Sequence, residues 1–171
     1  ENYRAKIKTP FELLVSSLRA LDADVRTSPA LLGLLRKMGE PLYGFQAPTG
    51  YPDTAEDWVN TGALLERMNF AVALASGRIP NVKINLAKFK ANSGEEILNK
   101  VIGEILFNEI SAGTKSTLLK QIKQSLPEAK LADETGVRGP LRRTGLPGPN
   151  GDPEVFKAVG LILGSPEFQR Q

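Results

Sequence analysis

Ser93-Gly94-Glu95-Glu96-Ile97-Leu98-Asn99-Lys100-Val101-Ile102-Gly103-Glu104-Ile105-Leu106 reads as an amphipathic helix from its first residue to its last. A Ser followed three residues later by a Glu is a capping box, in which each side chain takes up the other residue's backbone N–H. Ile97, Leu98, Val101, Ile102, Ile105 and Leu106 then form one continuous apolar stripe at a helical period. This is the cleanest stripe in the chain, and its neighbours on both sides repeat the pattern.

Upstream, Thr9-Pro10-Phe11-Glu12 joins an N-cap Thr, a Pro in the first helical position and a Glu three residues after the cap. Phe11, Leu14, Val15, Leu18 and Leu21 give the apolar face, with Glu12, Ser16 and Arg19 off it. Ser28-Pro29 opens a second helix with Leu31, Leu34, Leu35 and Met38 inward and Gly39 placed to close it. The short connection favours an antiparallel pair. Thr54-Ala55-Glu56-Asp57 starts the longest predicted helix, its acids suited to the positive end of the helix dipole. Trp58, Leu65, Met68, Val72 and Ala75 mark its face, and Ser76-Gly77 its end.

Downstream, Thr114 is read as the cap of a helix carrying Leu118, Leu119, Ile122 and Leu126. Asp152-Pro153 opens another with Val155, Phe156, Val159, Ile162 and Leu163, closed by Gly164. Ser165-Pro166-Glu167-Phe168 starts a last turn. Val82, Ile84 and Leu86 alternate with polar residues, but no partner strand is visible. That stretch is read as an extended connector into a helical turn around Leu86 to Lys90.

Two segments interrupt the helices. From Gly39 to Pro52 three Gly and three Pro exclude a regular element, yet Tyr43, Phe45 and Tyr51 sit there, with Trp58 just beyond. From Gly136 to Gly151 half of the residues are Gly or Pro, which marks a loop. The expected architecture is therefore all-α: a compact multi-helix domain over residues 1–171, with six to seven helices, a long aromatic loop at 39–53 and a Gly/Pro-rich loop at 136–151.

Composition bounds the chemistry. The chain has no His and no Cys, so it cannot itself build a Ser-His-Asp relay, a Cys-His pair or a metal site with nitrogen or sulfur ligands. Catalysis by this chain alone is not expected, nor is a cofactor. A formal charge of +3 and the lack of any nucleic-acid motif argue against nucleic acid as a partner. No apolar run is long enough to span a bilayer.

Three constellations remain. Tyr43, Tyr51 and Trp58, with Gln46 and Asp53 as hydrogen-bonding neighbours, could form a stacking surface for a sugar or a planar apolar ligand. Alternatively the rings anchor the loop onto the helices, the preferred reading, since a loop of this length needs internal packing. Asp57, Glu66 and Arg67 read as solvated or ion-paired helix residues. Arg138, Arg142 and Arg143 read as a solvated basic loop.

Three segments in order also carry a family resemblance. They are Lys6-Ile7-Lys8-Thr9-Pro10-Phe11-Glu12-Leu13-Leu14-Val15-Ser16-Ser17-Leu18-Arg19-Ala20, then Met38-Gly39-Glu40-Pro41-Leu42-Tyr43 with Pro48-Thr49-Gly50-Tyr51-Pro52 and Trp58, and finally Leu163-Gly164-Ser165-Pro166-Glu167-Phe168-Gln169. Together they resemble the C-terminal part of a bacterial family catalogued as domain of unknown function 1800. The resemblance implies a helical fold, a longer parent polypeptide and export to the periplasm or beyond. It supplies no catalytic residue. The family loop commonly has Trp where this chain has Tyr51, which suits stacking or anchoring better than catalysis. The resulting expectation is an interaction or scaffold module whose partner is the rest of its own longer chain or another protein. Two alternatives stand beside it: part of an enzyme whose site needs upstream residues, or a carbohydrate-binding surface at the aromatic loop.

Overall fold

Thr9 opens α1 (Pro10–Ala20) with the reciprocal bonds of the capping box: Glu12 N–H donates to the Thr9 hydroxyl at 3.3 Å, and Thr9 N–H to the Glu12 carboxylate at 2.8 Å. The computed structural model describes residues 6–46, 48–52, 54–123 and 152–170. After α1 come β1 (Asp24–Val25), α2 (Pro29–Lys37), α3 (Ala55–Trp58), α4 (Thr61–Ala75), β2 (Val82–Lys83), a 3-10 turn (Ala87–Phe89), α5 (Gly94–Leu106), α6 (Ala112–Lys123), α7 (Pro153–Leu163) and α8 (Pro166–Gln169). The fold is all-α apart from one short strand pair. The described residues hold eight helical segments against the six to seven expected, because α3 and α8 are single turns. The Gly/Pro-rich loop at 136–151, with Arg138, Arg142 and Arg143, lies outside the described residues, as does Leu126.

α7 is the middle of the core. It packs against α4 and against α5, with α6 beside it; α1 lies on α2 and α2 on α4. The α5 stripe is buried at all six predicted positions, each worth about 1.5–3 kcal/mol on leaving water. Val155, Ala158, Val159, Gly160, Ile162 and Leu163 of α7 are buried as well. Gly160 faces α4, where an added methyl would meet Ala75 Cβ at 3.8 Å and Val72 Cα at 3.9 Å, which is ordinary contact. Because Gly weakens a helix interior, Gly160→Ala is expected to raise stability by about 0.5–1 kcal/mol in urea denaturation. A loss of stability would mean the two helices have no room to give.

Four local readings need correction. The predicted helix from Thr54 is broken: α3 ends at Trp58, and α4 restarts after Asn60, whose side chain accepts the Ala63 N–H at 2.9 Å. That break resets the helical phase, so α4 buries Arg67, Phe70, Ala71, Leu74 and Ala75, while Leu65 faces outward and Met68 and Val72 stay half-exposed at the border with α7. In α1 the buried face runs through Leu13, Leu14 and Ser17, and Phe11 is exposed. Val82–Lys83 does have a partner, pairing antiparallel with Asp24–Val25 in the α1–α2 connection; two residues are too few to leave an alternating pattern. Finally, Ser111 caps α6 in place of Thr114: its hydroxyl accepts the Thr114 N–H at 3.0 Å.

The same end of α6 is held by Glu167 of α8, whose Oε1 accepts the Ser111 N–H at 3.2 Å. Burial alone would push this carboxyl up, but hydrogen bonds from Thr114, from its own amide and from Ser111 hold it below its ordinary value of 4.5. A carboxylate with a lowered folded pKa contributes stability above its unfolded pKa, and that contribution fades as pH falls through the folded value. Glu167→Gln is thus expected to cost more at about pH 6 than at about pH 3. Denaturation of both proteins at the two pH values checks this; an equal gap would contradict it.

Candidate functional site

The aromatic loop begins where α2 stops. Gly39 takes φ 99°, which Met38 could not adopt without strain, and turns the chain back. Glu40 then points under α1, where its carboxylate accepts the Phe11 N–H at 2.7 Å. A carboxylate on a helix N-terminus satisfies an orphan donor and meets the positive end of the dipole. Pro41 to Gly44 make a tight turn closed by Gly44 N–H on the Pro41 carbonyl at 2.9 Å. A methyl on Gly44 would come within 2.7 Å of Pro41 Cγ, so only glycine fits that corner.

From this corner the rings take separate paths. Trp58 is buried, at 3 % exposure, and its indole N–H donates to the Pro52 carbonyl at 3.0 Å. The Tyr51 hydroxyl donates to the Pro41 carbonyl at 2.6 Å. Phe45 lies 4.8 Å from Tyr51 between ring centroids, and Tyr51 lies 6.0 Å from Trp58, both tilted. Each polar tip thus closes a span of the loop's own backbone, and the ring series Phe45–Tyr51–Trp58 ties the loop to the end of α3. Tyr43 stands apart: its ring is fully exposed, on a residue with φ 58°. Gln46 is exposed too. Asp53 lies outside the described residues. Of the five candidates, the structure brings Tyr51 and Trp58 together and leaves Tyr43 and Gln46 in solvent.

Two features escaped the sequence reading. The first is Arg67, read as a solvated helix residue but buried to 1 %. Its Nη1–H donates to Gln169 Oε1 at 2.8 Å and its Nη2–H to the Lys8 carbonyl at 2.7 Å. Burial lowers its pKa, and the charge of Glu40 partly restores it. No local signal marks Arg67, because its acceptors lie 102 and 59 residues away in the sequence. The second feature is the outer side of the same helix. Leu64, Leu65, Met68 and Val72 are 45 %, 60 %, 44 % and 46 % exposed, and no charged side chain stands among them. At 100° per residue these four fall on one side, whose edge at Met68 and Val72 borders Gly164 and Gly160 at α7. The exposed positions of α5, by contrast, are Glu95, Glu96, Asn99, Lys100 and Glu104, an ordinary solvated face.

Among the described residues no group of His, Cys, Asp or Glu is arranged to hold a metal ion. Nor is any described helix long and apolar enough to cross a membrane. The family described as protein of unknown function DUF1800 matches residues 1–170, nearly the whole chain. The chain belongs to the DUF1800 family. No curated protein and no solved structure matches it. In this DUF1800 chain the geometry therefore has to carry the functional argument, and it offers two surfaces: the uncharged side of α4, and the two outermost rings of the loop, Tyr43 and Phe45.

Proposed function

We propose that this chain is a helical interaction module that docks the uncharged outer side of α4 against an apolar segment of its own longer polypeptide, of which it forms the C-terminal portion. The observation that carries the reading is the composition of that side. A helix that is apolar nearly all round is ordinarily buried all round, and contiguous exposed apolar surface marks interaction sites. Support for an intramolecular occupant comes from the family resemblance, which implies a longer parent polypeptide.

Leu65→Glu tests the proposal. In the isolated chain the substitution is expected to change stability by no more than about 0.5 kcal/mol, as at other exposed sites. In the longer polypeptide the same charge would enter a buried interface, and the expected loss is about 2 kcal/mol or more, the worth of a buried Leu. Equal effects in the two settings would sink the docking reading. We propose also, from the family resemblance, that the polypeptide is bacterial and exported; recovery of the natural protein with the cytoplasmic fraction would contradict this.

A second reading rests on Tyr43 and Phe45, which turn ring surface outward at the tip of a stapled loop. Exposed rings of this kind can stack on a sugar. Retention of the chain on an immobilised polysaccharide, lost in Tyr43→Ala at unchanged stability, would favour it over the docking reading.

A further inference from the structure

Arg67 joins the two ends of the described chain. Its guanidinium reaches Gln169, 102 residues away, and Lys8, 59 residues away, through two arms of one rigid fork. The two acceptors are themselves connected. Lys8 N–H donates to the Gln169 carbonyl at 2.9 Å, and Ile7 forms an antiparallel bridge with Arg170. The Gln169 amide is oriented by its own Nε2–H, which donates to the Leu163 carbonyl at 2.9 Å, so that Oε1 is left facing the guanidinium. Lys8 completes the arrangement by placing its ammonium 4.0 Å from the centre of the Phe168 ring.

The buried charge is incompletely compensated. Both hydrogen-bond acceptors of Arg67 are neutral, Glu40 acts on it only through its field, and its Nε–H is buried with no partner among the described residues. An ionised group in such a place regains solvation as soon as the groups above it lift away. The segments held by Arg67 are short and lie at the edge of the core, the C-terminal turn resting on α5 and α7 through Phe168 and on α6 through Glu167. Such segments open at lower free energy than the core does.

We infer that Arg67 is a latch that fastens the N-terminal segment Lys6–Thr9 and the C-terminal turn Ser165–Arg170 to α4 as one unit, which opens and closes together without unfolding of the α4–α5–α7 core. The latch stands whether or not the outer side of α4 docks a partner, because its contacts are all internal. Opening would release the Lys8–Gln169 pairing and uncover Phe168, which is buried when the latch is shut.

Native-state amide hydrogen exchange, read residue by residue on the full chain, tests this. In the parent protein the amides of Lys8, Phe168 and Gln169 are expected to exchange at matching opening free energies, well ahead of Val101, Ile102 and Val159. Arg67→Lys removes the fork while keeping the charge, and is expected to speed exchange at Lys8, Phe168 and Gln169 together by on the order of tenfold or more, with the core amides unmoved. Gln169→Ala removes one acceptor only and serves if Arg67→Lys does not fold; the same three amides should respond. Separate responses of Lys8 and the α8 amides, a uniform fall in protection across the domain, or no change would each overturn the latch.

Discussion

Trp58→Ala is expected to lower the unfolding free energy by about 3–5 kcal/mol, the range for removing a large buried aromatic from a packed site. The ring is almost wholly enclosed, its N–H closes the loop on the Pro52 carbonyl, and Tyr51 packs 6.0 Å away. Removing it leaves a cavity, an unpaired carbonyl and a loop with one staple fewer. Tyr51→Ala should follow with a smaller loss, since Tyr51 is half-buried and Pro41 keeps the Gly44 N–H. Denaturant melts of both variants provide the test, together with the emission maximum of the parent, which should be blue-shifted. Red-shifted emission with unchanged midpoints would contradict the packing described for the loop and would favour a ligand surface there.

The second large effect belongs to Arg67. Arg67→Ala is expected to cost on the order of 3–5 kcal/mol, as when one member of a buried charged network is deleted. It strips the Lys8 carbonyl and Gln169 Oε1 of a donor, leaves Glu40 without its neighbouring charge, and opens a void where the largest fully buried side chain stood. Arg67→Met fills most of that void and removes the desolvated charge, so its cost should be clearly smaller. Urea midpoints of the two variants separate packing from charge: equal losses would assign the effect to the hydrogen bonds, and a loss below about 0.5 kcal/mol in both would contradict the buried network.

The contrast between α5 and α4 shows how much of this protein could be read from its residues. α5 has a capping box and one unbroken stripe, local signals that agree with the tertiary fold, and every predicted core position is buried. The caps of α1, α2, α7 and α8 were legible for the same reason: Ser, Thr or Asp before Pro fixes a start by local stereochemistry. α4 has apolar residues on nearly every side, so periodicity could not choose its inner face. The choice was made by the seating of Ala75 and the Val72 backbone against Gly160 of α7, and by acceptors for Arg67 that lie at the two ends of the chain. No local window contains that information. The strand partner at Asp24–Val25 was missed for a related reason, since a two-residue ladder is defined by where the helices put it.

The candidate site was legible in outline. The aromatic loop was found from Gly, Pro and ring residues alone, and the sequence suggested that the rings could anchor it. Which ring turns inward was not readable, because Tyr43 and Tyr51 have the same chemistry; the Pro41–Gly44 turn sends one out and the other in. The uncharged side of α4 is visible only once the true inner face is known, for periodicity places Leu65, Met68 and Val72 in the core.

Because the chain contains no cysteine, a single engineered thiol gives an unambiguous footprint of that side. Leu65→Cys and, as a control on the solvated face of α5, Lys100→Cys would each be labelled with a maleimide in the isolated chain and in the longer polypeptide, with the site followed by peptide mass. The account predicts that the thiol at position 65 reacts freely in the isolated chain and at least about tenfold more slowly in the longer polypeptide, a protection equivalent to about 1.4 kcal/mol of closure. The thiol at position 100 should react alike in both. Equal labelling at position 65 in the two settings would contradict the claim that α4 is the docking face.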